Sequence, residues 1–122
     1  MRIYIAGPMS LYKATDWGWS NFQNAYNRLK GDGHTPVSPH KIDGAVWDFY
    51  GEGELDTAMD RKTILAIDIE VIRTCQSIYM LKDWDKSTGA ILELAYAQTT
   101  NMEIMFEEGA IHAKVGAVAY DK

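Results

Sequence analysis

Arg2-Ile3-Tyr4-Ile5-Ala6-Gly7-Pro8 opens the chain with five residues that alternate around two isoleucines and stop at a Gly-Pro pair. Such a run predicts a β-strand entering a tight turn. We place it as the central first strand of a sheet and read outward from it. Ser20-Asn21-Phe22-Gln23 has the form of a capping box, and Phe22, Ala25, Tyr26 and Leu29 follow at helical spacing until Gly31 and Gly33 end the run. His34 to Ser38 predicts a short second strand, and the prolines at 36 and 39 put it near an edge.

From residue 39 to 56 no period is evident, but the stretch holds glycines, acids and the aromatics Trp47, Phe49 and Tyr50. A loop of that length predicts a lid or binding loop. Helical spacing returns from about residue 57 to 75, with Leu65, Ile69 and Ile72 on one stripe. Residues 77–81 then read as a strand, 87–99 as a helix and 103–106 as a strand, while the tail beyond Gly109 is ambiguous. Strands separated by helical crossovers predict an α/β, Rossmann-like domain with a mostly parallel sheet of four or five strands flanked by helices.

A length of 122 residues fits one domain, taken as 1–122, and suffices for a single core. With 47% hydrophobic and 24% charged residues the profile is that of a globular protein rather than a disordered one. No apolar run is long enough to span a membrane, and the opening residues lack the apolar stretch of a signal peptide. The expected compartment is the cytoplasm, without a membrane partner. The lone Cys75 cannot form an internal disulfide and is expected to be a buried structural thiol. A net charge of −5 argues against a nucleic-acid polymer as partner, because phosphate backbones are held by basic faces. Small molecules remain.

In an open parallel sheet ligands bind beyond the carboxyl ends of the strands. That rule selects the turn Gly7-Pro8-Met9-Ser10, the segment after Ser38, and the loop 82–89 that contains Asp85, Ser87 and Gly89. On the following helix, Glu93 has Gly89, Ala90, Tyr96 and Ala97 at three and four residues, so its carboxylate is expected in a shallow gap. Two readings are open for it: a ligand-facing acid, or an acid at the solvent edge of a helix whose small residues pack tightly on the sheet. Asp68 lies among Ile64, Leu65, Val71 and Ile72, inside an apolar stripe. A buried charge needs hydrogen bonds, a cation or a polar pocket, so Asp68 is either a pocket residue or a structural cap or pair. Tyr4 points to the face opposite Ile3 and Ile5, either towards a ligand or into the core with its hydroxyl satisfied. Trp17, Trp19, Trp47 and Tyr50 are candidates to stack a base.

Neither Gly-x-x-x-x-Gly-Lys nor Gly-x-Gly-x-x-Gly occurs, so no nucleotide cofactor is expected. His34, His40 and His112 are too scattered for a metal, and Gly-x-Ser-x-Gly is absent.

Ile3-Tyr4-Ile5-Ala6-Gly7-Pro8-Met9, the Gly-Asp-Gly-His after the first helix, Asp68, Cys75-Gln76-Ser77-Ile78-Tyr79-Met80-Leu81 and Ser87-Thr88-Gly89-Ala90-Ile91-Leu92-Glu93-Leu94-Ala95-Tyr96-Ala97 occur in this order. The order resembles that of the nucleoside 2-deoxyribosyltransferase superfamily, which includes nucleoside monophosphate N-hydrolases and short phage and bacterial relatives. The resemblance spans about residues 2–108, and 87–97 is its most specific part. It implies cleavage of an N-glycosidic bond in a nucleoside or small nucleotide, with Glu93 as nucleophile. Tyr4 would donate a hydrogen bond to that carboxylate, and Asp68 would hold sugar hydroxyls or assist proton transfer. Gly7, Pro8, Met9, Ser10, Asp85, Ser87 and Gly89 would line the substrate. It also implies a homo-oligomer, a dimer or higher, and the loop 39–56 and the apolar tail 110–120, which have no evident internal core to join, are expected to pack on a second copy. Two features depart from the family: Ser87, with Asp85 nearby, stands near the place of the acid that protonates the departing base, and Pro8-Met9-Ser10-Leu11-Tyr12-Lys13 replaces the phosphate-binding turn of the N-hydrolases. The alternative is a protein of the same fold that sequesters a nucleotide-like ligand without turning it over.

Overall fold

The structure, a computed structural model, describes residues 1–12, 14–39 and 58–113. The loop expected at 39–56, with Trp47 and Tyr50, lies almost wholly outside the described residues, as do Lys13 and the tail from residue 114. The expected packing of loop and tail on a second copy lies outside them too.

Four strands form one parallel sheet: β1 (Arg2–Ala6), β2 (Thr35–Val37), β3 (Ser77–Met80) and β4 (Glu103–Phe106), in the order β2-β1-β3-β4. β1 lies inside the sheet, with Tyr4 opposite Val37 on one side and Ile78 on the other. β2 forms an edge, where Pro36 is tolerated within the strand, and runs over Thr35–Val37, shorter than 34–38, with Pro39 following close behind. Helices α1 (Trp19–Gly31), α2 (Ala58–Ile72) and α3 (Thr88–Thr99) connect successive strands.

Both faces of the sheet are covered, so β1 is apolar on both sides. Ile3 and Ile5 pack with Phe22, Ala25 and Leu29 of α1. Tyr4 and Ala6 turn the other way, onto a cluster with Ile72 of α2 and Ala90, Leu94 and Ala97 of α3. Burying one Leu- or Ile-sized side chain contributes about 1.5–3 kcal/mol, so these two clusters dominate the stability of the described core. Cys75 is buried, and desolvation raises its thiol pKa, which keeps it protonated and unreactive.

The start of α1 differs from the expected capping box. The helix begins at Trp19, so Ser20 falls inside its first turn, and the carboxylate of Asp16 caps it by accepting from the Gly18 and Ser20 amides at 3.0 and 3.1 Å and from the Ser20 hydroxyl. The Ser-x-x-Gln pattern is therefore incidental. At α3 the cap is regular: Ser87 is extended, and its Oγ accepts from the Ala90 amide at 3.2 Å.

Candidate active site at the carboxyl ends of the strands

The chain passes from β1 to β2 on one side and then returns across β1 to β3, so strand order reverses between β1 and β3. At such a switch point the two connections leave in opposite directions and open a crevice. Here the crevice is a cleft of about 260 Å³ between Pro8 and Tyr12 of the first turn, Asn21 of α1, the exit of β3 at Leu81, Lys82 and Asp83, and Glu107 just beyond β4. Gly7 lets the two exits approach: a Cβ there would stand 2.7 Å from Cδ1 and 2.8 Å from Cβ of Leu81.

On the opposite face, α3 turns Ala90, Glu93, Leu94 and Ala97 towards the sheet, the spacing of a core stripe. One member of that stripe is a carboxylate. Glu93 is only 5% exposed, and Tyr4, with no exposed surface, donates from Oη to Glu93 Oε2 at 2.7 Å. A bond of this length fixes the direction of the carboxyl group as well as its position. The expected shallow gap is thus corrected: the carboxylate is turned under its helix rather than standing at the surface. Helical side chains lean towards the N-terminus, so that of Glu93 lies over the turn of Gly89 and Ala90. Among the described residues a Cβ at Gly89 would meet only Ser87 Oγ, at 3.9 Å, so within them the helix surface is open at Gly89.

Asp68 occupies the equivalent place on α2. It is 5% exposed, one turn before the buried Ile72, and α2 packs against α3. The two acids therefore sit in the core-facing stripes of adjacent helices on one face of the sheet. Among the described residues the other buried polar side chains are Ser38 and Ser77, and Ser77 is accounted for by its bond to the Glu103 carbonyl at 3.1 Å.

The other anticipated residues divide. Pro8 is a wall of the cleft, and Gly7 is buried beside Leu81. Met9 packs on the α1-side cluster, and Ser10 begins a short 3-10 turn, Ser10–Tyr12. Asp85 lies half-buried within a second one, Trp84–Lys86, which leads to the cap at Ser87. Trp17, in a left-handed backbone conformation, and Trp19 stand at the start of α1. Among the described residues no three metal-ligating side chains stand together. No helix among them is long and apolar enough to cross a membrane.

Tyr12, Asn21 and Glu107 were not anticipated as site residues. The carboxyl-end rule, extended to β4, reaches Glu107 directly, and Asp83 follows β3 in the loop already selected. Nothing in the sequence marks Asn21, which reaches the cleft only because α1 starts there.

The sequence pattern of the family described as Domain of unknown function (DUF4406) matches residues 1–106, and the chain belongs to that family. No curated protein matches it. Among solved structures the chain resembles a 2-deoxyribosyltransferase from the psychrotolerant bacterium Bacillus psychrosaccharolyticus, at 21% identity and a TM-score of 0.63. That likeness covers 87% of this chain and 71% of the other, and it establishes a shared α/β fold.

Proposed function

We propose that this protein cleaves the N-glycosidic bond of a (deoxy)nucleoside or small nucleotide, with Glu93 as the attacking group. One observation carries the reading: a carboxylate occupies a core-facing position of α3 and is aimed by a buried tyrosine hydroxyl at 2.7 Å. An acid in an apolar stripe is costly, and functional sites are where such groups concentrate. The shared fold with a 2-deoxyribosyltransferase, a protein characterised for nucleoside synthesis, supports the same class of substrate.

In this mechanism a carboxylate oxygen of Glu93 attacks the anomeric carbon as the carbon–nitrogen bond breaks. The base leaves with the bonding electron pair and takes up a proton. The resulting glycosyl ester is opened by a second nucleophile that enters from the face the base has left, opposite Glu93, so two inversions retain the configuration. Water makes the overall reaction a hydrolysis, and another base makes it a transfer. Tyr4 steadies the carboxylate before attack and again when it is released. Asp68 serves as the polar group for sugar hydroxyls or assists proton transfer, and Asp85 and Ser87, in the turn that leads into α3, line the substrate. No metal or organic cofactor enters this scheme.

The test is chromatography for free base after incubation with a panel of nucleosides and their monophosphates. Wild type is expected to release base from at least one of them, and Glu93→Gln, which keeps an acceptor for Tyr4, to release none. Equal release by both proteins would sink the mechanism. Stabilisation by a nucleoside without any release would favour the sequestering alternative.

A further inference from the structure

The exit of β3 is held by a side chain rather than by a strand. Leu81 N–H donates to the Ala6 carbonyl and Glu107 N–H to the Met80 carbonyl, both at 2.8 Å, which extends the ladders on either side of β3 by one bond. Beyond Glu107 the chain turns away, with Ala110 N–H bonded to the Glu107 carbonyl at 2.9 Å. The next amide, that of Lys82, is taken by Glu107 Oε1 at 2.9 Å. Glu107 Oε2 accepts from the Arg28 guanidinium of α1 at 2.8 Å, and Arg28 also reaches the Tyr79 hydroxyl at 3.2 Å. One carboxylate thus joins the end of β4, the exit of β3 and α1.

The loop beyond Lys82 needs such an anchor. Asp83 adopts a left-handed backbone with φ 66°, uncommon outside glycine although aspartate tolerates it better than most residues, so the turn gains from fixed neighbours on both sides. Glu107 fixes the amide before it, and the buried Trp84 after it donates from Nε1 to the Ile111 carbonyl at 2.9 Å. Lys82, Asp83 and Glu107 are themselves walls of the switch-point cleft, and Asp83 reaches across it to the Tyr12 hydroxyl at 3.5 Å. The same loop ends at Ser87, the cap of the helix that carries Glu93. Glu107 lies just past the stretch matched by the family.

We infer that Glu107 is a positioning residue: it sets the conformation of the loop 82–87 and, through it, the shape of the cleft that receives part of the substrate. The substrate half of this statement rests on the N-glycosidic reading above. Glu107 belongs to the cleft and not to the Tyr4–Glu93 pair, so its loss acts on substrate binding more than on the chemical step.

The experiment compares wild type with Glu107→Ala and Glu107→Gln in amide exchange followed by NMR, and in KM and kcat for base release. In Glu107→Ala, exchange at Lys82 is expected to accelerate at least tenfold while Ile78 and Met80 stay within twofold. KM should rise at least fivefold with kcat within twofold. Glu107→Gln, which keeps an acceptor for the Lys82 amide, should return both to within threefold of wild type. Unchanged exchange at Lys82 overturns the inference, as does uniform acceleration across β3 and α3, or an unchanged KM. If wild type releases no base from any substrate, the N-glycosidic reading falls, and exchange at Lys82 alone decides whether Glu107 holds the loop.

Discussion

Tyr4 and Glu93 are 89 residues apart in sequence and bonded at 2.7 Å, and the proposed mechanism rests on this pair. Neither is accessible enough to be satisfied by bulk water, so each depends on its protein surroundings. Tyr4→Phe removes a donor and leaves a buried carboxylate short of one hydrogen bond, which costs about 1–3 kcal/mol. The variant is expected to unfold at lower denaturant in urea titration, and its kcat/KM for base release to fall by roughly tenfold or more, because each ~1.4 kcal/mol of lost transition-state stabilisation is a factor of ten. An unchanged rate would reduce Tyr4 to a packing residue. The sequence singled out Tyr4 by its place near the end of the first strand and Glu93 by the small residues around it. The burial of Glu93 was not legible: small neighbours at Gly89, Ala90 and Ala97 suit both an open gap and a helix pressed onto the sheet, and only the packing of α3 on Tyr4 decides between them.

Existence and order of the elements were readable from periodicity, since the period of two around Tyr4 and the helical spacing of Phe22, Ala25 and Leu29 each recur within the element itself. Their ends were less so, because caps depend on which residue the chain turns at. α1 is the clearest case, with Asp16 outcompeting the Ser20 pattern by bonding two amides and a hydroxyl across the left-handed turn at Trp17 and Gly18. These bonds, led by the one from the Ser20 hydroxyl, lower the Asp16 pKa below its ordinary value of 3.8. A lowered folded-state pKa means that the stabilisation is fully present above the ordinary carboxylate value and is lost as pH falls through the folded one. Acid titration followed by NMR is therefore expected to fray the first turn of α1 only below about pH 4, and Asp16→Asn to remove that transition. A fraying midpoint unmoved by Asp16→Asn would show that another group caps the helix.

At the scale of the whole molecule, the parallel sheet and its order place two exits, those of β1 and β3, side by side at the switch point, where Gly7 and Leu81 nearly touch. Gly7→Ala would drive a methyl group to within 2.7 Å of a Leu81 side chain whose own backbone is tied to Ala6. Overpacking of that kind costs about 1–3 kcal/mol, and thermal melts are expected to show it while the circular dichroism of the native state stays α/β. A melting temperature equal to wild type would mean that the exits have room to part. The carboxyl-end rule identified this region from sequence, but the cleft itself draws Asn21 and Glu107 from elements whose relation to β1 and β3 exists only after folding. Whether Glu93 forms a bond to sugar decides the mechanism. Rapid acid quenching of the protein during turnover of a nucleoside that it cleaves, followed by mass spectrometry of its peptides, measures this directly. The predicted result is a sugar ester on the peptide containing Glu93, absent from Glu93→Gln. Base release with no adduct on that peptide, or an adduct on another residue, would contradict it.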